Sequence, residues 1–173
     1  MANYRADTLT NDGSAPLLRY IPDATRQEWI KEANGNSAED TENQRKLFAS
    51  SFPLVHRMHR AGVQLLAGTD SGIEFRFPGF DLHTELALLV EAGLTPMEAL
   101  QTATINPARW LGVEKTLGTV EKEKIADLVL LDANPLDDIH NTQKATAVIV
   151  NGRLISKSGL QAMLANIEAQ ARK

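Results

Sequence analysis

Apolar positions follow two rhythms along the chain, helical up to about residue 112 and strand-like beyond it. From Leu47 onwards, Leu47, Phe48, Phe52, Val55, Met58 and Ala61 fall on one stripe of 3.6-residue period, the mark of a helix with one buried face. That helix is expected to open at Ser37, with Asp40 and Glu42 near its positive end, and to stop at Ala61-Gly62. Pro53 falls inside it, which predicts a kink or a split into two. A shorter helix is expected over residues 23–33, with Trp29 as a packing residue and Asn34-Gly35 as its stop. Before it, residues 1–16 read as an irregular start with a turn at Asn11-Asp12-Gly13-Ser14.

Three helices follow. Residues 81–92 carry the stripe Leu82, Leu86, Leu89 and Val90, with Asp81 as candidate N-cap and Gly93 as the stop. Thr95-Pro96-Met97-Glu98 is a helix start in which Thr95 caps, Pro96 fills the first position and Glu98 closes a capping box. Asn106-Pro107 opens a short helix holding Ala108, Trp110 and Leu111, ended by Gly112.

Past this point residues 113–124 are polar and turn-rich, and residues 126–132 and 145–150 read as strands. Asn151-Gly152 is the strongest short hairpin signal in the chain and leads back through Arg153-Leu154-Ile155. A helix over residues 160–171 closes the chain. The pattern divides into an α/β part at 1–112, a small β part at 113–157 and a C-terminal helix at 158–173.

Between the helices lies one short, almost wholly apolar stretch, residues 63–67, followed by Gly68-Thr69-Asp70-Ser71-Gly72. Such a run predicts a strand buried on both faces, as in a parallel sheet covered by helices. A carboxylate just past the C-terminal end of such a strand stands where α/β folds place their chemistry. Flanking glycines let the backbone turn sharply and approach a ligand. The plain alternative is that Asp70 makes a local turn or caps the next helix. Phe75, Phe77 and Phe80 beyond it suit either a pocket wall or packing against a neighbouring loop. His83, in the first turns of the next helix, reads as a polar site residue or a surface histidine. His56 and His59 share a helical face, but Arg57 and Arg60 beside them favour a solvated basic face over a metal pair.

Composition narrows the classes. The net charge is −4 with scattered lysines and arginines, so nothing recommends a nucleic-acid partner. With no cysteine among 173 residues there are no disulfides or thiolate metal sites, and four histidines remain as nitrogen donors. No apolar run approaches the ~20 residues of a membrane span. The chain is expected to be soluble and cytoplasmic, without a membrane partner.

Taken together, several of these pieces form an ordered series. Gly68-Thr69-Asp70-Ser71-Gly72 is followed by His83-x-Glu85-Leu86, by Glu91-Ala92-Gly93-Leu94-Thr95-Pro96 with Glu98-Ala99-Leu100, and by Ala103-Thr104-x-Asn106-Pro107-Ala108 with Leu111-Gly112. Ala126-Asp127-Leu128-Val129 and Val148-x-Val150-Asn151-Gly152-Arg153 continue it. The series, over about residues 45–155, resembles the C-terminal part of the metal-dependent amidohydrolase superfamily, especially its imidazolonepropionase-like and prolidase-like members. The resemblance implies an α/β fold: the C-terminal fragment of a (β/α)8 TIM barrel, comprising the last strand-helix unit and following helices, with part of a small β-sandwich. It implies that Asp70 follows the eighth strand, approaches a divalent metal, zinc, and takes a proton from the attacking water. His83, Ser71 and Gly72 would lie on the substrate side.

The departures from that family are as informative. A (β/α)8 barrel takes ~250 residues, and fewer than 70 precede Asp70. The family's other ligands sit on earlier strands, and this chain has no His-x-His anywhere. Glu123 stands where the family usually has a glycine, in the turn before Lys124-x-Ala126-Asp127. Two expectations follow. One is the C-terminal part of a hydrolase of C–N bonds in a cyclic amide or dipeptide, acting on a small-molecule substrate and metal-loaded only in its full-length context. The other is a non-catalytic fragment or subunit, completing a barrel supplied by another chain or associating with itself, with no metal of its own.

Overall fold

The computed structural model describes residues 15–35, 37–71 and 73–172. The turn expected at residues 11–14 and Gly72 lie outside the described residues. In chain order the helices are α1 (Asp23–Asn34), α2 (Ala38–Arg60), α3 (Asp81–Glu91), α4 (Pro96–Thr102), α5 (Ile105–Trp110) and α6 (Lys157–Ala171), and the strands are β1 (Leu128–Leu131), β2 (Ala145–Val150) and β3 (Arg153–Ser156). Tight 3-10 turns occupy Ala15–Tyr20 and Ile139–Gln143. Mixed helix and strand content fits the α/β class expected above.

The chain gathers into two compact units. One takes the described residues of Met1–Ser51, Asp70–Gly79 and Gln161–Lys173; the other takes Phe52–Thr69 and Phe80–Leu160. In the first, the Trp29 ring meets Phe75 at 5.4 Å and, edge-on, Phe77 at 6.0 Å. Phe75 and Phe77 are only 1% and 2% exposed. These two aromatics are therefore core, packed on helix α1 rather than on a neighbouring loop, and Trp29 is the packing residue expected. Ser37 starts α2 by accepting the Asp40 N–H at 3.0 Å. The helix runs unbroken through Pro53, so the split does not occur. One missing donor is tolerated because the turns on either side keep their own bonds.

In the second unit, Leu86, Ala99 and Ile139 form a core on which Ala67, Leu89, Val90, Leu100 and Ala103 pack. Leu82, expected on the same stripe, is 39% exposed. Asp81 is not the N-cap of α3. Phe80 occupies that position without a side-chain cap bond, and Asp81 is the first helical residue, buried where the positive end of the helix favours a carboxylate. At the other end Gly93 adopts φ +101°. Its N–H donates to Val90 O and that of Leu94 to Leu89 O, the paired bonds that close a helix on a left-handed residue. The α4 capping box forms as read: Thr95 Oγ accepts the Glu98 N–H, and a Glu98 carboxylate oxygen accepts the Thr95 N–H at 2.7 Å.

The three strands make an antiparallel sheet in the order β1-β2-β3. Val150 faces Arg153 across the Asn151-Gly152 turn, and both turn residues have positive φ, 48° and 78°, as the expected two-residue hairpin requires. Asp127 secures the turn by accepting the Asn151 N–H at 2.6 Å, beside a Gly152 N–H to Ala126 O bond of 3.0 Å. The Ala126-Asp127 and Asn151-Gly152 motifs thus clamp each other.

Candidate functional site

Residues 63–69 form no helix or strand and join no sheet among the described residues. The expected strand has no ladder here, and the run bonds to residues of two helices instead. The Ala67 N–H donates to Thr102 O at 3.0 Å, and Asn106 Nδ2 donates to Leu65 O at 3.1 Å. The run is thereby pinned to α4 and α5. Val63 and Leu66 remain 44% and 41% exposed, so burial on both faces is not what this structure shows.

Asp70 follows that run at φ 51° and is exposed. Aspartate tolerates the left-handed region better than most residues, yet a non-glycine held there beside glycines is a local strain of the kind that gathers at functional sites. Ser71, also exposed, forms an isolated bridge with Ile73. These two belong to the first unit and His83 to the second.

His83 is half-buried, and burial pushes its imidazole below the usual histidine range. Its Nδ1 lies 3.1 Å from Thr142 Oγ, and the Thr142 hydroxyl lies 2.9 Å from Ile139 O. It is therefore not a bare surface histidine. Thr142 carried no signal in the sequence, being one of several polar residues in a turn 59 positions away.

His56 and His59 lead away from ligation. His59 Nε2 lies 3.1 Å from a Glu98 carboxylate oxygen, and His56 lies so close to Gly93 that an added Cβ would come within 2.4 Å of Nδ1. They fasten the end of α2 to the α3–α4 turn. Among the described residues no three histidine, aspartate or glutamate side chains gather as a metal cage. A catalytic zinc takes three protein ligands, so the donors described here do not fit such an ion without others.

Residues 20–155 match the profile of the Amidohydrolase family, well over half of the chain. The chain belongs to the amidohydrolase family. It is 34% identical over 130 residues to 5-methylthioadenosine/S-adenosylhomocysteine deaminase of Moorella thermoacetica, covering 64% of this chain and 30% of that one. Among solved structures it is similar to a prolidase-like protein from Bifidobacterium longum, with TM-score 0.65 and 33% identity over 82% of this chain and 35% of the other. Bottromycin amidohydrolase shares the fold at TM-score 0.77 and 23% identity, over 98% of this amidohydrolase chain and 39% of its own. The chain thus spans about a third of the length of these relatives.

Proposed function

We propose that this chain is the C-terminal part of a metal-dependent amidohydrolase, the last strand-helix unit of a TIM barrel with part of a β-sandwich, which hydrolyses a C–N bond in a cyclic amide or dipeptide. Asp70 is the acid it contributes. The observation that carries the reading is a carboxylate held at positive φ just past a short apolar run, in a family whose relatives include a deaminase and a prolidase-like protein. A carboxylate so placed can take the proton of the attacking water and pass it to the departing nitrogen, so that one O–H and one C–N bond break and one C–O and one N–H bond form. Zinc, with ligands supplied by the rest of the barrel, belongs to the complete enzyme. By itself the chain is inactive, and the exposed Val63 and Leu66 await the missing segment or a second copy.

Two assays test this. A panel of dipeptides and cyclic amides, with zinc added, should show no turnover by the chain beyond that of its Asp70→Asn variant. Asp70-dependent turnover would make the chain an enzyme in its own right. In a hybrid where residues 20–155 replace the matching part of the prolidase-like protein, Asp70→Asn should lower kcat by about 10²-fold or more. An active hybrid indifferent to Asp70→Asn would remove Asp70 from the chemistry.

A further inference from the structure

The His83–Thr142 contact fixes more than a distance. A threonine hydroxyl has one hydrogen, and a backbone carbonyl can only accept. With Thr142 Oγ at 2.9 Å from Ile139 O, that hydrogen is committed to the carbonyl. Toward His83 the oxygen is left as an acceptor, so the hydrogen in the 3.1 Å contact comes from Nδ1. The ring is then the Nδ1–H tautomer, and its lone pair stands on Nε2.

Thr142 itself is held in place. It is 6% exposed, in a turn whose Ile139 belongs to the core with Leu86 of α3, the helix that carries His83. The neighbouring Asn141 side chain donates to Asn134 O at 2.8 Å, and Asp138 caps the turn through the His140 N–H at 2.9 Å. A partner so constrained orients an imidazole as outer hydrogen bonds do for ligating histidines, by choosing which nitrogen keeps the proton. Burial disfavours the imidazolium form of His83, which leaves the neutral ring in which the choice has meaning.

We propose that Thr142 is a positioning residue, holding His83 as the Nδ1–H imidazole so that Nε2 serves as hydrogen-bond acceptor for an N–H group of the substrate. The second half rests on the reading of this chain as part of a C–N hydrolase; the first stands without it. Were the proton on Nε2, His83 would donate and select a carbonyl instead, so the tautomer decides the polarity of recognition.

The test is made on the chain itself. Nitrogen–proton correlation spectra of 15N-histidine-labelled protein, at a pH where His83 is neutral, should show Nδ1 protonated in the wild type. Thr142→Val should shift His83 toward the Nε2–H form that unconstrained histidines favour, and Thr142→Ser should restore the original pattern, each with unchanged circular dichroism. A protonated Nε2 in the wild type overturns the proposal without reference to any activity. So does a pattern that Thr142→Val leaves unmoved. Diethyl pyrocarbonate, which acylates an unprotonated ring nitrogen, should modify His83 at Nε2. Protection of His83 while the exposed His140 reacts would refute an offered lone pair.

Discussion

Glu123 sits at φ 73°, in the turn where the family usually has glycine. The turn keeps its left-handed geometry and the glutamate bears the strain. A side chain in that region costs about 1–2 kcal/mol, against about 0.5–1 kcal/mol for the extra chain freedom of glycine. Glu123→Gly should therefore stabilise the protein by roughly 0.5–1 kcal/mol, read as a rise in the denaturant midpoint at unchanged slope. Glu98 ties stability to pH. The Thr95 N–H, then the Thr95 hydroxyl and His59, hold its carboxyl at about 2, against an ordinary 4.5. Because the folded value is the lower one, the stabilisation is complete above the unfolded value and fades as pH falls toward about 2. Stability measured across that window should decline in the wild type, and Glu98→Gln should remove this part of the decline. At this scale the sequence spoke clearly for Thr95 and Glu98, whose partners are three residues apart. It was silent on Thr142, whose partner is 59 away.

Between elements, contacts rather than patterns decide. The α3–α4 turn needs glycine twice over, for its φ of +101° and for the His56 ring 2.4 Å from where a Cβ would sit. Gly93→Ala should cost more than about 1 kcal/mol, the usual left-handed penalty. Adding His56→Ala should recover only the steric part, and full recovery in thermal unfolding would mean that the backbone is unstrained. Leu86→Ala, which empties the core between α3, α4 and the Ile139–Gln143 turn, should cost about 2–5 kcal/mol by the same measurement. The hairpin and the capping box were legible because their geometry is set by adjacent residues. Pairing of residues 63–69 was not: an apolar run states that it wants cover, and only the fold says whether a strand or a helix supplies it. Phe75 and Phe77 followed the same rule, since their partner Trp29 lies on a separate stretch of chain.

At the scale of the whole molecule, exposed apolar side chains govern behaviour in solution. Besides Val63 and Leu66, the sheet leaves Val129 58% and Val150 50% exposed on one face and Leu154 63% exposed on the other, apolar groups that a partner would cover. The chain should associate in solution, and light scattering should give a mass above 18.9 kDa; a monodisperse monomer would count against a missing partner. Family membership was legible from the order of the motifs, which local chemistry fixes; the substrate was not, because the described residues do not spell out a complete pocket. In the function proposed, the chain brings one acid to a centre it does not complete. Calorimetric titration with zinc tests that most directly. The prediction is weak, non-stoichiometric heat, the same in wild type and Asp70→Asn; tight one-to-one binding abolished by Asp70→Asn would contradict it.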